Sequence, residues 1–188
     1  PRLPWARNVD LTPAQTLPLL DILQSDRTRY VTRSVANHLN DLSKTVPDTV
    51  LDRLERWEET NTQTPSERQW MRKHALRSLI KSGHTRTMQV LGYRPDVEIA
   101  VSVSLGAASV TVGQKLEISC ALKALEDAPL LIDYRISFAR PNGKTTQKVF
   151  KLKQINARNG QTYQVKKNHL LKGDATTFVL HPGKHSLC

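Results

Sequence analysis

A chain of 188 residues with 28 Lys and Arg against 17 Asp and Glu carries a net charge of +11, and its pI is near 10.0. That surplus points to a polyanionic partner, most simply nucleic acid. Apolar residues make up 38%, enough for small cores and too many for wholesale disorder. No run reaches the ~18 apolar residues of a membrane span and no signal peptide is visible, so a cytoplasmic protein without a membrane partner is expected. The charge is spread: residues 1–94 hold 15 basic and 10 acidic side chains, residues 95–188 hold 13 and 7.

After an irregular lead-in, PRLPWARNVD, Thr12-Pro13 predicts a helix to about Ser25 with Leu19, Leu20 and Leu23 facing inward. Asp26 is the expected cap of the next helix, Tyr30 to Lys44. There Val31, Val35, Leu39 and Leu42 form one apolar stripe. Arg33, Asn37, Asn40 and Lys44 share the opposite side, with Asp41 at its edge. A face of Arg, Asn and Lys can dock a phosphate backbone; it can equally be a solvated surface. Pro47 opens a third helix with Val50, Leu51, Leu54 and Trp57 on one side. Ser66 starts a fourth, which the pattern carries unbroken to Ser82 and Gly83. A short fifth spans about His84 to Leu91.

The second and fourth helices align at an offset of 40 residues. Tyr30 falls on Trp70, Val35 on Ala75, Leu39 on Leu79, Arg33 on Lys73 and Asn37 on Arg77, and Lys81 extends the basic stripe. Helix pairs repeating at about 40 residues are the pattern of HEAT-type solenoids, which present a concave surface. Two such units are few for a stable stack, so further repeats upstream, and a chain that is a C-terminal fragment, are expected. His74 lies near the basic stripe, whereas His38 lies beside the apolar one and reads as packed.

From about Val97 the period changes to two. VEIAVSVSL, QKLEISCALKA, LLIDYRISFAR, TTQKVFKLKQI, QTYQVKKNHLL and TTFVLHPGKHSL predict a β-sandwich of immunoglobulin type, with the boundary at Arg94-Pro95. The fold class is thus two-domain, α then β: HEAT-like repeats over 1–94 and an immunoglobulin-like sandwich over 95–188. Cys120 alternates with Leu116, Ile118 and Leu122 and reads as a buried thiol. Lys166, Lys167 and Lys172, with the turn over 173–177, read as a basic loop cluster. His169, His181 and His185 lack partners at metal-ligand spacing, so neither metal nor cofactor is expected.

YVTRSVANHLNDLSKTVPD, RQWMRKHALRSLIKSGH and TMQVLGY resemble the HEAT-repeat DNA alkylation repair glycosylases. PRLPWA, YRISFARPNGKTTQKVFKL and TTFVLHPGKHSL resemble the branch with a C-terminal immunoglobulin-like domain. The resemblance implies excision of cationic alkylated bases such as 3-methyladenine by N-glycosyl hydrolysis, with duplex DNA cupped by the helices. It implies β-domain loops that approach the DNA from the other side. It also places the catalytic carboxylate in repeats upstream of Pro1, so no residue here takes that role. The branch without the sandwich has Trp and Arg where this chain has Asn37 and Asn40, which cannot stack; Trp5 or Trp70 would have to supply an aromatic contact.

The expected DNA contacts are Arg33, Asn37, Asn40, Lys44, Trp70, Lys73, His74, Arg77 and Lys81, with Lys166 and Lys167 from the β domain, in a monomer that binds double-stranded DNA. Two alternatives use the same features: a non-enzymatic DNA-binding relative, and a protein-interaction solenoid.

Overall fold

The computed structural model describes residues 11–141, 143–173 and 178–188. The chain divides into two compact units between Val90 and Leu91. The helical unit contains α1 (Pro13–Leu23), α2 (Arg29–Leu42), α3 (Pro47–Thr60), α4 (Pro65–Ala75), α5 (Arg77–Ser82) and α6 (Thr85–Val90). Proline stands in the first turn of α1, α3 and α4, where its missing N–H costs no helical hydrogen bond. The Gln15 side chain accepts the Thr12 backbone N–H at 2.9 Å, and Thr64 Oγ1 accepts that of Glu67; both satisfy donors that a helix start leaves open. At the far end of α5, Gly83 adopts φ 70° and the His84 N–H returns to the Leu79 carbonyl at 3.0 Å, a left-handed stop that favours glycine.

One core joins these helices. Val35, Ala36 and Leu39 of α2 meet Leu17 and Leu20 of α1, Val50, Leu51, Leu54 and Trp57 of α3, and Met71, Ala75, Leu76 and Leu79. Val35, Leu39, Val50, Leu51 and Leu76 are at most 1% exposed, each stabilising the unit by roughly 1.5–3 kcal/mol of burial.

Three local expectations fail. Leu19 is 56% exposed, because the helix phase turns Leu17 and Leu20 inward in its place. Asp26 does not cap α2 directly; Thr28 is the N-cap residue, and Asp26 Oδ1 accepts the Thr28 backbone N–H at 2.7 Å. The fourth helix is not continuous. It breaks at Leu76, whose φ of −94° and ψ of 5° leave the helical region.

The second unit contains β1 (Ile99–Leu105), β2 (Lys115–Ala124), β3 (Ala128–Ala139), β4 (Thr145–Ala157), β5 (Thr162–Leu170) and β6 (Ser186–Leu187). They form two three-stranded sheets, β1-β2-β5 and β4-β3-β6, with antiparallel pairing throughout. Alternate residues of the central strands face inward: Ile118, Cys120 and Leu122 from β2, and Tyr134, Ile136 and Phe138 from β3. Buried Cys120 carries a free thiol, and desolvation pushes its pKa up. The β3–β4 hairpin turns through Gly143 at φ 72°, its N–H bonded to the Arg140 carbonyl at 3.1 Å.

The sixth strand falls short of expectation. Pro182 cannot donate to a ladder. Among the described residues Ser186 and Leu187 form the strand on β3, and Cys188 exchanges two backbone hydrogen bonds of 2.9 Å with Arg135. Phe178 leaves the strand pattern and packs edge-on against Phe138, centroids 4.8 Å apart.

A candidate nucleic-acid interface

α2 and the α4–α5 pair lie side by side, tied by contacts between residues 35 to 38 apart in sequence. Glu67, near the start of α4, receives Arg29 Nε at 3.0 Å and Thr32 Oγ1 at 2.6 Å. About two turns along α4, His74 Nε2 donates to Asn37 Oδ1 at 2.9 Å. A further turn along, the Ser78 N–H donates to Asn40 Oδ1 at 3.1 Å. These ties set the polar faces of the two helices side by side.

The face so assembled is basic. Arg33, Lys73 and Lys81 are exposed and Arg77 is half-buried; none of the four is within ion-pair distance of a described carboxylate. Elsewhere in this unit most of the cations are committed, with Arg27 and Arg56 the exceptions among the described residues. Arg53 pairs with Asp21, Arg68 and Arg72 face Glu58, and Arg86 reaches Asp48, Asp52 and Glu55.

At the centre of the face sits an aromatic stack. The Trp70 and His74 rings lie 4.8 Å apart at 12°, and the Arg29 guanidinium stands 3.9 Å from the Trp70 ring centre, a cation–π contact. Burial holds the His74 imidazole below its usual pKa, and the positive charges of Arg77, Arg33 and Arg29 depress it further. The neutral ring is therefore favoured in a cluster already rich in charge. Burial likewise lowers His38, and its Nε2 has no hydrogen-bond partner among the described residues.

The expected contact residues separate into groups. Arg33, Asn37, Trp70, Lys73, His74, Arg77 and Lys81 share the face. Asn40 does not reach its surface: it is 3% exposed, and its amide oxygen is taken by the Ser78 backbone. Lys44 is bound to Asp41 at 2.7 Å, an attachment that lowers the Asp41 pKa. Lys166 and Lys167 are strand residues of β5, not loop residues, and as neighbours they project to opposite faces of their sheet. Lys166 stands opposite Ser119 in register, and Lys167 opposite Ile118. Lys166 Nζ lies 3.8 Å from Glu117. Lys172 is exposed; Trp5 and residues 174–177 of the expected turn lie outside the described residues. Arg29 was absent from the expected set, although it stands four residues before Arg33 and so on the same helix stripe.

A helical unit with an uncommitted basic face, followed by an immunoglobulin-like β unit, defines the class of protein. Residues 100–188 match the family model described as the C-terminal Ig-like domain of the uncharacterised protein YhaZ. Over 191 residues the chain is 33% identical to the uncharacterized protein YhaZ of Bacillus subtilis (strain 168), covering 100% of this chain and 52% of that protein. Its structure is similar, with a TM-score of 0.89 and 33% identity, to the Pseudomonas fluorescens alkylpurine DNA glycosylase AlkC, solved bound to DNA containing an abasic site analog. That match also covers 100% of this chain and 52% of the glycosylase. The chain thus spans about half the length of both relatives.

Proposed function

We propose that this chain is the DNA-holding part of an alkylation-repair glycosylase, and that the face built by α2, α4 and α5 grips the backbone of duplex DNA. The observation that carries this is that four cations without carboxylate partners among the described residues, Arg33, Lys73, Arg77 and Lys81, gather on one face, while Arg29, Arg53, Arg68, Arg72 and Arg86 are paired. The similarity to a DNA-bound alkylpurine glycosylase over the whole chain supports it. The helices act as HEAT-like repeats in this proposal, and the substrates are cationic alkylated purines such as 3-methyladenine.

The chemistry constrains the rest. A positively charged base is already a good leaving group, so the protein must chiefly favour the positive charge that develops on the sugar as the N-glycosidic bond breaks. A carboxylate does this; a guanidinium opposes it. The carboxylates beside this face are engaged elsewhere: Asp41 with Lys44, and Glu67 with Arg29 and Thr32. The catalytic carboxylate accordingly belongs to the half of the relatives' length that this chain does not span, and this chain supplies register and affinity.

The test is single-turnover release of 3-methyladenine from duplex DNA, by the natural full-length protein and by residues 1–188 alone. Release by the full-length protein alone, with salt-sensitive DNA binding retained by the shorter chain, is the expected result. Release by the shorter chain contradicts the division of labour. DNA binding without release by either contradicts the glycosylase assignment and favours a non-enzymatic DNA-binding protein.

A further inference from the structure

The break between α4 and α5 has a specific cause. In an unbroken helix the Ser78 N–H pairs with the His74 carbonyl. Here the Ser78 N–H goes to Asn40 Oδ1 at 3.1 Å, and the His74 carbonyl takes Arg77 Nη1 at 2.6 Å. The break is bracketed by regular links: the Leu76 N–H reaches the Arg72 carbonyl at 3.0 Å, and the Ile80 N–H reaches that of Leu76 at 2.8 Å. One side chain from α2 has thus entered the ladder within the break, a recognised cause of a helix kink.

We propose that Asn40 is a positioning residue: by accepting the Ser78 N–H it holds the α4–α5 break, which presents Arg77 and His74 beside Arg33 on the basic face. The proposal rests on the assignment of that face to DNA. Asn40 itself is too buried to touch a phosphate. Its amide is short enough to reach the neighbouring backbone and neutral enough to be buried without the cost of an isolated charge.

Freed from Ser78, the His74 carbonyl anchors the Arg77 guanidinium through one of its five N–H groups. The remaining donors stay in a fixed planar fork suited to a phosphate. Asn37, three residues earlier on α2, fixes the His74 ring in the same way. α2 therefore sets the geometry of both groups, one through a side chain and one through the backbone.

The experiment is a mutant cycle in the natural full-length protein, with the fold of each variant checked by circular dichroism. DNA affinity is read as the slope of log K against log salt. R77A lowers the slope of the native protein by about one. N40L lacks the acceptor and is expected to lose the same amount, with R77A adding nothing further; N40S, too short to reach Ser78, is the milder second variant. N40D keeps the acceptor oxygen but adds a buried carboxylate near Arg77, so it is read by Ser78 exchange and not by the salt slope. Amide exchange at Ser78 should quicken in N40L and N40S and not in N40D.

Folded N40L or N40S with a native slope, with R77A still costing its full unit, overturns the proposal. Unchanged Ser78 exchange in those variants overturns it as well. A native slope that R77A leaves untouched overturns the DNA assignment instead, and is told apart because Ser78 exchange still responds to N40L.

Discussion

α3 and the α2–α4–α5 face are both rich in charge, yet they treat it in opposite ways. On α3, Asp48, Asp52 and Glu55 converge on Arg86, Glu58 faces two arginines of α4, and Arg53 shares Asp21 with the Trp57 indole N–H, which donates at 2.8 Å. Most of the charge there is spent within the molecule, Arg56 and Glu59 excepted. On the other face Arg33, Lys73, Arg77 and Lys81 have no carboxylate within ion-pair distance among the described residues, and burial with the nearby arginines pushes the His74 pKa down. In the proposed reading, net charge favours a polyanion and the gathering of unpaired cations marks where it would lie.

The largest effect should come from the core that both surfaces share. Leu39, 0% exposed, sits beneath both, and Leu39→Ala should cost about 2–5 kcal/mol of stability by transfer and cavity terms, read by chemical denaturation of the helical unit. DNA affinity should fall only as far as the folded fraction does.

Glu67 is next, since it is the acid that intrudes on the basic side. With its side chain 15% exposed and bound to Arg29 and Thr32, Glu67→Gln should cost about 1–2 kcal/mol. It should also release Arg29 from its counter-charge and so raise affinity for duplex DNA. A stabilised variant, or a weaker DNA complex, would break the contrast drawn here.

Acidification gives a smaller, graded effect. The pKa values of His38 and His74 are lowered from their ordinary 6.5, first by burial in each case. The unfolded chain therefore takes up protons before the folded one. Their contribution to stability is full above about pH 6.5 and is lost as the pH falls through the lowered values. His74→Gln should flatten that decline in a pH series of denaturation curves; an unaltered decline would remove His74 from the account.

Smallest of all is Arg86→Ala. Though it breaks three ion pairs, it should leave DNA affinity and its salt dependence unchanged, because that charge faces α3.

Much of this was legible beforehand, for identifiable reasons. The Val35–Leu39 stripe and the 40-residue offset follow from helical periodicity, and the alternation around Cys120 follows from the pleat. The break at Leu76 was hidden because Leu79 and Ile80 continue the apolar rhythm across it, while its cause, Asn40, lies 38 residues away in sequence. Asn40 was misplaced because helical angle assigns a side but cannot see a neighbouring backbone donor. Lys166 and Lys167 look like one cluster in sequence, but a strand sends neighbours to opposite sides.

The most direct test is the salt dependence of duplex DNA binding by the natural full-length protein, native against a variant with Arg33, Lys73, Arg77 and Lys81 all changed to Ala. Four lost phosphate contacts should lower the slope of log K against log salt by about three to four. A folded variant that keeps the native slope would show that DNA, if bound, is held elsewhere.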